Sequence, residues 1–173
     1  MPGRAPLLVV GYGNPSRGDD ALGPELLRRA EALRAPGLEV LEDFQLQIEL
    51  SLDLEGRTLV LFVDASESAA APFEFRRLHP VRDESWSSHA LHPEAVLHVF
   101  QVVQRREPPP AYLLAVRGEV FDLGEPLSEV ATRNLAAASA FLTRLVADPR
   151  PEAWQALAAS GREGWAPPQL RPR

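Results

Sequence analysis

The sequence predicts an α/β fold: a three-layer α/β/α sandwich around a five-stranded, mostly parallel twisted sheet with one antiparallel edge strand. Three observations carry that expectation. Continuous apolar runs at Leu7–Val10, Thr58–Val63 and Tyr112–Val116 read as strands buried on both faces. Stretches with helical apolar spacing alternate with them, as parallel crossovers require. One run, Phe73–Leu78, instead alternates apolar and polar residues, which marks an edge strand with one wet side.

The elements follow in order. After the strand at Leu7–Val10, a Gly-containing turn runs through Gly11-Tyr12-Gly13-Asn14-Pro15-Ser16-Arg17-Gly18 to two adjacent carboxylates, Asp19 and Asp20. A helix is expected from Leu22–Pro24 to about Leu33. Pro24 suits its first turn, and Leu22, Leu26, Leu27, Ala30 and Leu33 form its apolar stripe. Pro36-Gly37 ends it, and Leu38–Leu41 is the second strand. Between Phe44 and Leu54, leucine and isoleucine recur with period two, which favours a strand; the crossover needed before the third strand favours a short helix, and the helix is preferred. The third strand ends at Asp64. Beyond the edge strand, Pro93 opens a helix with Val96, Leu97, Phe100 and Val103 on its apolar face and His92 as an unusual N-cap. Pro108–Pro110 stops it. After the fifth strand and a second Gly-containing loop, Ser128 caps a long helix to about Leu145. Residues 1–148 form one domain in this reading. Residues 149–173, rich in Pro and Arg, are expected to be a flexible tail dispensable for folding, with one helical turn near Glu152–Ala159.

Composition narrows the function. The 173 residues suffice for a real core. The absence of cysteine excludes disulfides, thiol nucleophiles and thiolate metal sites. A net charge of −6 disfavours a nucleic-acid partner. No apolar run is long enough for a bilayer, and MPGRAP carries no signal-like apolar segment, so a cytoplasmic protein with no membrane partner is expected.

In a doubly wound sheet the first and third strands flank the crevice where sites are built. Asp19 and Asp20 follow the first strand and Asp64 ends the third; His89 precedes a later helix. Two carboxylates and an imidazole suit a divalent metal of borderline softness. Each residue also has a plainer role open to it: Asp20 stabilising a helix dipole, Asp64 capping a turn, His89 lying on the surface. His79, His92 and His98 have only the plainer role. A dinucleotide site fits poorly. Ser16 stands where a third glycine belongs, and Asp19 and Asp20 would repel a pyrophosphate. Walker A and nucleophile-elbow motifs are absent.

The stretch Gly11–Gly23, GYGNPSRGDDALG, resembles the N-terminal signature of the nickel-iron hydrogenase maturation proteases. The resemblance continues through Leu61-Phe62-Val63-Asp64-Ala65, Ser88-His89 and Gly118-Glu119, and so covers roughly residues 7–145 in order. It implies an endopeptidase that removes the C-terminal extension of a hydrogenase large-subunit precursor after nickel is installed. It places the metal ligands on Asp20, Asp64 and His89. Nickel would then arrive with the precursor, held by its cysteines, and the free protein would be metal-free or hold a substitute divalent ion. Asp19 is a possible acid/base, beside a metal-polarised carbonyl or water. Two departures stand out: Asp20 replaces the Glu of some relatives, and Ala21 replaces a common Gly, which makes a positive φ there less favourable. A non-catalytic metal-sensing checkpoint protein would use the same ligands, and a nucleotide-binding module is the remaining alternative.

Overall fold

The computed structural model describes residues 3–82 and 91–160. Five strands, β1 (Leu7–Tyr12), β2 (Leu38–Asp43), β3 (Leu59–Ser66), β4 (Phe73–Leu78) and β5 (Ala111–Arg117), form one sheet in the order β2-β1-β3-β5-β4. All pairs are parallel except β4–β5, so β4 is the antiparallel edge that its alternating sequence predicts. The first and third strands are neighbours, with Gly11 opposite Val63.

Helices α1 (Leu22–Ala32), α3 (Glu129–Ala147) and α4 (Pro151–Ala159) cover one face. A 3-10 helix (Ile48–Leu54) and α2 (Pro93–Gln104) cover the other. Side chains alternate along each strand, so the sheet feeds two separate cores. Leu7, Val9, Leu61, Val63, Leu114 and Val116 belong to the first; Leu8, Val10, Val60, Phe62 and Leu113 belong to the second.

Local chemistry explains the connections. Ser128 caps α3 as expected, its hydroxyl accepting the Ala131 N–H at 3.1 Å. The period-two run before β3 is helical: the 3-10 turn repeats every three residues and buries Ser51 and Leu54. The alternation leaves Ile48 and Leu52 exposed, so it is not the signature of a pleated face. In α2, Ala95 is buried and Val103 is exposed, which corrects the expected apolar stripe at its last member.

The largest correction concerns the C-terminal boundary. The body does not end at 148. Helix α4 packs on β4, and Trp154 is fully buried. Its indole N–H lies between the carbonyls of Leu145 (3.1 Å) and Asp148 (3.0 Å), and its ring meets Tyr112 and Phe75 edge-on. A large aromatic body with a satisfied polar tip is a core element, not part of a loose tail. Residues 161–173, including Trp165, lie outside the described residues.

Candidate active site

The loop after β1 is built around close backbone approaches. Gly13 has φ +144°, and a Cβ there would collide with the Asp20 carbonyl oxygen. The loop closes when the Asn14 N–H donates to Asp20 Oδ2 at 2.6 Å. Ala21 sits at φ −71°, so its replacement of Gly strains nothing.

The two adjacent aspartates have opposite surroundings. Asp19 is fully buried. Its Oδ2 accepts the N–H groups of Glu119 (2.8 Å) and Val120 (3.0 Å) and the Ser128 hydroxyl (2.8 Å); its Oδ1 accepts the Ser128 N–H (2.8 Å). Burial pushes its carboxyl up, but the backbone donors of Glu119, Ser128 and Val120 and the Ser128 hydroxyl outweigh it and hold the group below the usual range. An ionised carboxylate sealed among four donors neither delivers nor collects a proton. The acid/base role expected of Asp19 does not fit this geometry; Asp19 is the pin that ties the first loop to the loop after β5 and to the start of α3.

Asp20 is only partly buried. Asp64 stands across the crevice, one residue past the Gly11–Val63 pairing. Burial, aided by the Asp20 charge and opposed by hydrogen bonds from the Ala65 N–H and the Tyr12 hydroxyl, pushes the Asp64 carboxyl up to about 7. Asp20 and Asp64 are therefore in electrostatic contact, and neither is paired with a cation among the described residues. His89 lies outside the described residues, so its position relative to these carboxylates is not part of this geometry. Among the described residues no group of three potential metal donors forms.

Tyr12 is the participant that sequence reasoning missed. Burial, then the Asp64 charge and hydrogen bond, raises its phenol well above the ordinary value of 10. It therefore stays protonated and donates to Asp64, orienting that carboxylate. The signal was present in the pleat: Tyr12 follows Val10 by two residues, and the β1–β3 register puts it on the same face as Phe62 and Asp64.

This five-stranded α/β fold has counterparts in solved structures. The chain is similar to the [NiFe] hydrogenase maturation protease HycI of Thermococcus kodakarensis (22% identity, 84% of this chain and 95% of that one, TM-score 0.66). It is similar to the hydrogenase maturating endopeptidase HybD of E. coli (25% identity, 80% and 91%, TM-score 0.63). It is also similar to the hydrogenase 2 maturation peptidase of Thaumarchaeota archaeon SCGC_AB-539-E09 (22%, 81% and 97%, TM-score 0.58). No family model and no curated protein sequence matches. Fold and crevice define a protein of the α/β peptidase class. The signature loop and the likeness to the E. coli enzyme, over 91% of that chain, support the nickel-iron hydrogenase maturation protease family.

Proposed function

We propose that this protein is a cytoplasmic endopeptidase that removes the C-terminal extension of a nickel-iron hydrogenase large-subunit precursor once nickel has been inserted. The observation that carries the reading is the Asp20–Asp64 pair. The Asp20 charge adds to the cost of ionising Asp64, and an incoming divalent ion would relieve it. Oxygen donors at an open crevice fit a metal that arrives inside its substrate better than one held permanently. Asp20 and Asp64, with His89 from the family pattern, would complete the shell of nickel already bound by the precursor. The Tyr12 hydroxyl keeps the Asp64 carboxylate aimed at the crevice. Nickel loading would thereby be a condition of cutting, and the ion would supply polarisation of the scissile carbonyl or of an attacking water. Asp19 acts at a distance, by holding the loop that carries Asp20.

Incubating the protein with nickel-loaded and nickel-free precursor and weighing both by mass spectrometry tests this reading. Loss of a C-terminal segment from the loaded form alone is expected. No cleavage of either form would overturn the endopeptidase reading and favour a checkpoint protein that senses metal without cutting.

A further inference from the structure

An apolar groove adjoins the crevice on its β2 side. Glu42 and Asp43 are shared by two cavities, of about 200 Å³ and about 330 Å³. Val10, Leu41, Leu46 and Leu50 floor the first. Gly13, Pro15 and Phe44 line the second, so it reaches the loop that holds Asp20. The Gly13 N–H donates to the Asp43 carbonyl at 3.1 Å, which ties groove and crevice together.

Two properties of this groove are unusual. Phe44 is 68% exposed at its mouth, and Ile48 and Leu52 are about half exposed (51% and 52%) on the 3-10 helix that walls it. Phe44 lines the second cavity, and an exposed aromatic at a concave apolar surface marks a place where something docks. The rim is also of one sign. Glu42, Asp43, Glu49 and Asp53 line the groove and pair with no cation among the described residues. Elsewhere on the same segment the acids are matched: Glu39 meets Arg57, and Glu55 meets Arg106.

We propose that this groove seats an extended, basic and apolar segment of the substrate protein next to the bond that is cut. The proposal rests on the endopeptidase reading. The apolar floor takes aliphatic side chains and the acidic rim takes arginine or lysine, by charge complementarity. β2 is the outer strand of the sheet, so its far edge leaves main-chain groups free for a chain in extended conformation.

Two measurements test it. In the first, a 12-residue peptide alternating arginine and leucine, and its glutamate-leucine counterpart, are titrated into the isotope-labelled full chain. The basic peptide should shift amides of residues 41–53 and bind about tenfold more weakly to the Glu49→Gln/Asp53→Asn variant, and more weakly again in high salt. The acidic peptide should leave these amides unmoved. Equal binding of both peptides, or shifts confined to other surfaces, would overturn the proposal. So would a concentration-dependent dimer abolished by Phe44→Ser, because that would give the groove to a second copy of the chain. In the second, precursor processing by the same double variant should show a raised KM with kcat little changed. An unchanged KM in a protein that does process precursor refutes the groove alone. Absence of all processing by the unaltered protein, with basic-peptide binding intact, refutes the endopeptidase reading and leaves the groove standing.

Discussion

The two faces of the sheet are finished differently. Under α1, α3 and α4 the face is closed: Phe73, Phe75, Tyr112, Phe141 and Trp154 form a contiguous aromatic group, and even the buried carboxylate there, Asp19, has every donor it needs. Under the 3-10 helix and α2 the face is closed only toward the N-terminal ends of the strands. Toward their C-terminal ends it opens, and there Asp64 is partly buried without a counter-cation among the described residues and Phe44 stands in solvent. Asp19 and Asp20, neighbours in sequence, divide along this line. One face satisfies its polar groups and fixes the loop; the other leaves its carboxylates accessible and, among the described residues, without a counter-cation, as a site that takes a charged partner requires.

The comparison breaks most readily at Asp19. Asp19→Ala leaves four donors without an acceptor, so a loss on the order of 5 kcal/mol is expected. Urea denaturation measures it; a loss under about 1 kcal/mol would mean that the pin is not structural. Trp154→Ala should cost roughly 3–5 kcal/mol by emptying the closed face. Truncation after Asp148 should lower the melting temperature by a comparable amount. An unchanged melting temperature would restore the idea of a loose tail.

The two aspartates should also answer pH with opposite signs. Asp19 has its carboxyl held low when folded, so it contributes stability at neutral pH that is lost on acidification through that depressed value. Asp64 has its carboxyl raised to about 7 from 3.8, so the folded state binds the extra proton between those values. Its effect is fully favourable below about pH 4 and is lost as pH rises through about 7. Asp64→Asn should therefore gain stability relative to the unaltered protein between pH 5 and pH 8, on the order of 2 kcal/mol after allowing for partial solvent screening. Thermal melts at the two pH values read the difference; a constant offset would contradict the burial of Asp64. Tyr12→Phe, a smaller change, removes a hydrogen bond that lowers the Asp64 carboxyl, so it should push that carboxyl further up and cost about 1 kcal/mol at pH 8 without unfolding the chain, read by the same melts.

The adjacency of β1 and β3, the antiparallel edge and the crevice between β1 and β3 were legible because they depend on apolar runs, alternation, and the position of acids at strand ends. Asp19 was not, because its partners Glu119, Val120 and Ser128 lie 100, 101 and 109 residues away. Its neighbour Asp20 looks identical in sequence. Trp154 was misread for a related reason: a segment rich in Pro and Arg resembles a tail until Trp154 finds its place against Phe75 and Tyr112 of the distant β4–β5 surface. The period-two leucine spacing before β3 points to a strand, but the crossover requirement favours a short helix, and the segment is a 3-10 helix that repeats every three residues.

The central claim is that the open face carries a carboxylate pair on which processing depends. The direct measurement is cleavage of nickel-loaded precursor by the unaltered protein and by Asp20→Asn and Asp64→Asn, each checked for folding by thermal melt at pH 8. The account predicts cleavage by the unaltered protein and a loss of at least about a hundredfold in both variants, with Asp64→Asn no less stable than the unaltered protein. Full processing by a folded Asp64→Asn protein would contradict it.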